Sequence, residues 1–360
     1  MKQDKINSFS ASTIICSLCC SSFYGIFSSY ILNKSLNSSI ISIILGFIIS
    51  LLLSKIILSF FNINENETFS KIIKSTYKRL NIFIIILSII SSLFGYILLT
   101  YRLTTFLTNE YLIETPKYLI LIMIIITTYY TTSKGIETIL RVSTISFYIS
   151  TIIFLFDLFS LINQINIQNL LPLIDVNYKT IIINALIFSI YFLVPTTQIL
   201  SIKKNQIVDK HKWNKYYYLM LTFSFIIILT STITMIGVSG INIVTLFDYP
   251  VYSTLKRIHL FSFLDSLENV SILAWVYYIL NASSMFLYFS ISTIKESFNL
   301  NNKKSKIINI LMLIICFSIP NFIFLKNNYN ESYDYIIIPI FIEGLMLLIV
   351  SITSIKNRLK

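Results

Sequence analysis

Apolar residues along this 360-residue chain neither alternate nor repeat on a single helical face; they run continuously, and short polar loops separate the runs. A helix needs about 20 apolar residues to cross a ~30 Å hydrocarbon core. Ten stretches read as such spans: Ser8–Leu32, Leu36–Phe61, Ile82–Phe106, Tyr118–Ser133, Thr138–Ile162, Thr180–Ile202, Tyr216–Ile241, Ser271–Ile294, Ile307–Leu325 and Tyr335–Ile355. Barrel strands are excluded, because they alternate and last only about 10 residues. The pattern therefore predicts an all-α integral membrane protein of ten transmembrane helices. Ser8–Leu32 is longer than a typical signal-peptide core and no small-residue cleavage site follows it, so it is expected to be the first span.

Composition agrees. Hydrophobic residues make up 55% of the chain and charged residues 12%, about half the charge of an ordinary soluble domain. The net charge of +12 would raise nucleic acid as a partner if the basic residues formed a soluble patch. Instead they sit in loops between apolar runs, so no nucleic-acid role is expected and the lipid bilayer is the surrounding medium. Counted on alternate sides of ten spans, Lys and Arg fall 20 to one side and 7 to the other, with Lys55 inside a span. The rule that basic loops stay cytoplasmic puts both termini there. The longest loop, Asn242–Val270, contains Tyr249-Pro250-Val251-Tyr252 and an apolar Leu255–Leu264, which predicts a short interfacial helix. No loop is long enough for a separate catalytic or sensor domain.

Little in the sequence supports an enzyme. Cys16, Cys19 and Cys20 lie mid-span, and His211 is too remote to complete a metal set with them, so packing explains them. His259 and Asp265 lack the spacing of a membrane acyltransferase, and two histidines supply no triad or di-metal centre. No metal or cofactor is expected. Charges inside spans are costly and mark functional candidates. Lys55 lies near a span end and can reach the interface. Asp157 in span five and Glu343 in span ten are the candidates for ion coupling or conformational change.

Helix breaks supply the remaining signal. Span one carries Phe23-Tyr24-Gly25-Ile26 and span six carries Leu193-Val194-Pro195-Thr196-Thr197. The two breaks fall at similar depths in helices five apart that run in opposite directions. A 5+5 inverted repeat pairs those helices and binds ligand where they unwind. The corresponding halves are residues 1–164 and 179–355 of one membrane domain.

Several strings, in order, resemble the B subunit of spore germinant receptors, spore germination proteins of the amino acid/polyamine/organocation transporter superfamily. They are Glu114-Thr115-Pro116; Lys134-Gly135-Ile136-Glu137 with Arg141; Asn169-Leu170-Leu171-Pro172-Leu173; Asp248-Tyr249-Pro250 with Arg257-Ile258; and Phe263-Leu264-Asp265-Ser266-Leu267-Glu268 followed by Trp275. Two departures are a missing proline in the first-helix break and a missing arginine in the last string. The resemblance implies a LeuT-like fold with helices one and six broken around a ligand, closed by spans three and eight. Carried onto this chain, the lining is Tyr24, Gly25 and Ile26; Leu193, Val194, Pro195 and Thr196; Tyr96 or Tyr101; and Tyr278 or Asn281. It further implies a small germinant (an amino acid, sugar or nucleoside), an A-type membrane subunit and a C-type lipoprotein subunit as partners, and the spore inner membrane as location. Two alternatives stay open: an ion-coupled secondary transporter of amino acids or similar solutes, and a scaffold protein that has lost its ligand site.

Overall fold

A computed structural model describes residues 6–63, 67–257, 268–321 and 337–358, with the side chains at 63, 268, 269, 302, 337–343, 357 and 358 excepted. Helices Ser8–Ser22 (α1) and Ser28–Ser35 (α2) form one rod interrupted by a π-turn at Phe23–Phe27. A 3-10 turn at Leu36–Ser38 leads into Ser39–Ile63 (α3). The short amphipathic Phe69–Thr76 (α4) precedes Asn81–Glu110 (α5), Lys117–Ser133 (α6) and Ile136–Leu161 (α7). Tyr178–Leu193 (α8) continues as a 3-10 segment over Val194–Ser201. Then come Trp213–Ser239 (α9), two short pieces Ile241–Val244 (α10) and Pro250–Leu255 (α11), Glu268–Ser297 (α12), Asn302–Ile319 (α13) and Ile337–Arg358 (α14).

Among the described residues, ten helical rods fall in the ten expected stretches. Six segments among the described residues are long and apolar enough to cross a membrane, the first of them, Ser8–Asn62, holding two rods; Lys117–Ser133 and Gly344–Lys356 are shorter apolar helices. Between spans seven and eight, where a short interfacial helix is expected, the described residues form two short pieces, α10 and α11, separated by residues 245–249. His259, Asp265, residues 258–267, and the facing ends of spans nine and ten at 322–336 lie outside the described residues. The Glu343 side chain does as well.

The outward faces are apolar, and the interior mixes apolar and aromatic side chains with many small hydroxyls. On α7, Ile145, Tyr148, Ile152, Leu155 and Phe159 form an exposed stripe at helical spacing, while Ser143, Ser146 and Ser150 are buried. Lipid offers no hydrophobic drive between helices, so small residues that allow close approach and share hydrogen bonds take the interior. Many of these hydroxyls bond the carbonyl three or four residues back, as Ser224 does to Met220 and Thr232 to Ile228, which spares them the cost of an unpaired buried polar group.

The packing repeats itself with the halves exchanged. α3 packs on α8, as its counterpart α1 does on α9; α12 packs on α7, as α5 does on α14; and α5 and α12 pack on each other. Glycine permits two of these approaches. A Cβ on Gly46 would stand 2.6 Å from the Ala185 carbonyl oxygen, and one on Gly95 would stand 2.7 Å from the Phe286 ring.

Several resemblance strings are joints of this frame. Gly135, at φ 95°, starts α7, and Glu137 and Arg141 pair one turn apart at its exposed start. Asn169 Nδ2 donates to the Gly237 carbonyl at 2.9 Å, tying the loop after α7 to the end of α9. Pro250 opens α11, where its missing N–H costs nothing.

The N-terminal end of α1 is clasped by the loop after α8. Ile6 pairs with Ile207 in a parallel bridge. The Ser8 amide donates to Asp209 Oδ1 at 2.8 Å, and Ser8 Oγ donates to the Asp209 carbonyl oxygen at 2.6 Å. A carboxylate at a helix N-terminus takes orphan amides and complements the helix dipole.

Candidate functional site

The site begins at the π-turn, roughly 24 Å along the helix axis from Ser8 at 1.5 Å per residue. There the Ser28 amide reaches back five residues to the Phe23 carbonyl, which displaces the local hydrogen-bond ladder. The Gly25 carbonyl accepts from Arg102 Nε on α5 at 2.7 Å. Tyr24 Oη and Ser231 Oγ on α9 are 2.7 Å apart. π-turns of this kind concentrate at functional sites. The second break is the 3-10 segment at Pro195, where Thr196 Oγ1 and Thr197 Oγ1 donate to the Leu193 and Val194 carbonyls.

A cavity of about 70 Å³ opens beside the first break. Its walls come from the π-turn (Tyr24), α7 (Ser150, Asp157), α9 (Ser231, Thr234, Met235), α11 with its preceding residue (Tyr249, Tyr252) and α12 (Ser271, Trp275, Tyr278). Tyr249 and Tyr252 also face an outer groove holding Glu110 and Lys256, which are paired at 3.0 Å. Those two rings therefore partition the cavity from the surface. Tyr249 Oη is 3.0 Å from Thr105 Oγ1, and Arg102 stands over its ring at 5.1 Å. Burial raises the Tyr249 hydroxyl above the ordinary tyrosine value, against a smaller opposing pull from Arg102.

Most of the wall is apolar or aromatic, and its polar groups are few and convergent, the usual makeup of a small-molecule site. The Asp157 carboxylate accepts from Ser271 Oγ. Tyr278 Oη and Ser150 Oγ face each other on this wall, and the buried Trp275 Nε1 has no hydrogen-bond partner among the described residues. Buried polar groups are nearly always paired, so the unpaired indole N–H on this wall points to a ligand or water there.

The sequence-derived candidates separate into three groups. Tyr24, Tyr278 and Asp157 line this cavity. Gly25 backs it: a Cβ there would lie 4.0 Å from Trp275 Nε1. Asn281 is a buried joint, with Nδ2 2.5 Å from Ser146 Oγ and 3.5 Å from Ser17 Oγ, tying α12 to α7 and α1. Ile26, Leu193, Val194, Pro195 and Thr196 are buried, and none is on the cavity wall. Tyr96 turns toward α6, its Oη 2.9 Å from Thr128 Oγ1, and Tyr101 is buried away from the wall. The cavity is therefore framed by rods one, five, seven and eight with α11, where rods one, three, six and eight had been expected.

The sequence reading missed Arg102, Tyr249, Tyr252, Ser271 and Ser231. Arg102 was grouped with loop residues in the charge count, yet it lies inside α5. A guanidinium within an apolar run was the available signal. Cys16, Cys19 and Cys20 are buried; Cys19 Sγ is 3.4 Å from the Phe192 carbonyl oxygen and serves the α1–α8 contact.

Paired halves, two interrupted rods and an interior cavity beside one interruption define a multi-pass membrane protein of the permease class. Its solved neighbours are LeuT-fold transporters. A Na⁺-coupled sialic acid symporter, solved in a substrate-bound outward-open state, superimposes with a TM-score of 0.69 and 12% identity, covering 96% of this chain and 79% of that one. A manganese transporter from Eremococcus coleocola, solved as a point mutant, gives a TM-score of 0.60 and 12% identity, covering 96% and 75%. No curated protein sequence matches. The spore germination protein family, the spore permeases, matches over residues 5–332, and this chain belongs to it.

Proposed function

We propose that this protein is the B-type subunit of a spore germinant receptor. It binds a small nutrient germinant in the cavity beside the first-helix break, and binding favours one arrangement of the bundle. The A-type membrane subunit and C-type lipoprotein, in the spore inner membrane, carry that bias onward. The observation behind this reading is the family match over nearly the whole chain, joined to an aromatic-walled interior cavity beside the first-helix break. A ligand shifts such an equilibrium only by its differential affinity for the two arrangements, and the partition rings Tyr249 and Tyr252 are placed to differ between them. The test follows dipicolinate release from spores of a clean deletion strain across single nutrients. A nutrient-specific defect, rescued by the intact gene but not by a cavity variant, supports the reading. Unchanged germination on every nutrient in a strain without paralogues overturns it.

A second reading, an ion-coupled secondary transporter, draws on the clasp at Ser8 and Asp209. It closes the terminal side while the cavity lies in the other half, the asymmetry that alternating access uses. Asp157 and Glu343 are then the proton carriers. Ion-driven solute uptake by proteoliposomes favours this reading, and its absence across amino acids counts against it.

A further inference from the structure

A second surface lies at the opposite end of the bundle from the cavity, the end that carries most of the chain's Lys and Arg. There α4 joins the end of α3 to the start of α5, beside the last turn of α14. α4 is firmly seated. Its buried Phe69 packs on Phe60 of α3 and Phe289 of α12, with ring centres 5.7 and 5.6 Å apart. Ser70 Oγ donates to Glu296 at 2.8 Å, and Lys74 Nζ donates to the Ser297 carbonyl oxygen. Tyr77, which ends α4, lies under the Lys356 ammonium at 4.7 Å, and its Oη is 3.5 Å from Thr353 Oγ1 on α14. An open pocket at this junction is lined by residues 75–80 and Lys356. Its three cations, Lys78, Arg79 and Lys356, are exposed. No acidic residue lines the pocket, and none of the three forms an ion pair among the described residues.

On its bilayer side the pocket opens onto exposed apolar surface. Leu80 lines the pocket itself, and Phe83, Ile86 and Ile90 continue away from it along α5. Leu348, Ile352 and Ile355 do the same along α14, ending one residue before Lys356. The two helices pack on each other, so a charged pocket and two apolar stripes meet at one corner. Isolated basic residues at helix ends need no ligand, since loops on one side of a membrane protein carry them anyway. Here cations from two distant stretches of chain converge without a counter-charge. Basic pockets of this kind between membrane helices bind anionic lipid head groups, and a guanidinium matches phosphate oxygens in a bidentate fork. We infer that this pocket binds one anionic phospholipid, its phosphate held by Lys78, Arg79 and Lys356 and its acyl chains along the exposed faces of α5 and α14. The lipid ties the corner between the second and third rods to the last rod. The inference is independent of what the cavity binds.

The experiment titrates the full chain in detergent and counts lipid adducts by native mass spectrometry. The probes are dioleoylphosphatidylglycerol, dioleoylphosphatidylcholine (the same chains on a neutral head group) and glycerol phosphate (the anion without chains). One phosphatidylglycerol adduct per chain should saturate at a concentration at least roughly tenfold below that needed for phosphatidylcholine. Glycerol phosphate should not displace it at matching concentration. Lys78→Gln with Arg79→Gln should abolish the preference. Lys303→Gln with Lys304→Gln, which removes the same charge from exposed positions on α13, should keep it. If the pocket variant does not fold, Lys356→Gln and the head-group series on the native chain decide. Equal binding of the two lipids, or a folded pocket variant that keeps the preference, overturns the inference. So does an equal loss in the α13 variant, which would assign the preference to diffuse surface charge. Displacement by glycerol phosphate at matching concentration overturns the lipid assignment and leaves a site for a soluble phosphate.

Discussion

Arg102 Nε donates to the Gly25 carbonyl oxygen at 2.7 Å, so a charged side chain of the third rod holds open the break in the first. The π-turn shifts the local ladder at Phe23, and within it the Gly25 carbonyl takes this charged donor from a neighbouring rod. The same guanidinium lies over the Tyr249 ring, which links the helix break to the partition between cavity and surface.

Arg102→Ala leaves the Gly25 carbonyl without its charged donor. A charge-assisted hydrogen bond contributes about 1.5–3 kcal/mol, so a clear fall in the melting temperature of the detergent-solubilised protein is expected. Arg102→Lys should recover part of it. A melting curve for Arg102→Ala that overlays the parent would show that the π-turn stands without this bond.

Tyr24→Phe and Tyr278→Phe should separate stability from ligand response. Tyr24 Oη has a partner in Ser231, so losing it costs about 1 kcal/mol. Tyr278 Oη faces Ser150 Oγ on the cavity wall, so its removal should cost no more than the Tyr24 change while nutrient-triggered dipicolinate release falls further. A strongly destabilised Tyr278→Phe would mean that the hydroxyl serves the fold.

Glycine substitutions should rank by steric environment. Gly46→Ala drives a methyl to 2.6 Å from the Ala185 carbonyl oxygen, backbone that cannot swing aside; overpacking of this kind costs about 1–3 kcal/mol. Gly25→Ala meets its nearest neighbour, Leu99, at 3.7 Å and should fold. Purified yield and melting of the two variants test the order, and a reversed order contradicts the α3–α8 packing described above.

The clasp at the N-terminus predicts an acid limb. Partial burial by itself would raise the Asp209 carboxyl, but the Ser8 amide and hydroxyl bond it and Lys212 lies nearby, and the net effect holds it below the ordinary carboxylate value. A carboxyl depressed in the fold stabilises fully above its unfolded value, and that contribution is lost as pH falls through the folded one. Melting temperature should therefore drop on acidification toward and below the ordinary carboxylate range. Asp209→Asn should start lower at neutral pH and show a shallower drop. Parallel pH profiles for the two proteins would remove Asp209 from the account.

Uninterrupted apolar runs and sparse loops determined by themselves that this chain is a ten-rod membrane protein, because lipid permits few ways to satisfy the backbone. The breaks at Gly25 and Pro195 were legible for the same local reason: glycine and proline disturb a helix wherever they fall. Family strings such as Lys134-Gly135-Ile136-Glu137 and Asn169 were readable too, and they proved to be joints of the frame. Which residues meet across the bundle was a different matter. Helix periodicity cannot assign faces when every face is apolar, and here the inward face is marked by serine and threonine distributed over many turns. Only the tertiary packing brought Asp157 of α7 to Ser271 of α12, turned Tyr96 away toward Thr128, and set Trp275 and Tyr278 on one wall. A site assembled from four rods and a short connecting helix depends on their rotations and tilts, which packing of the whole bundle fixes.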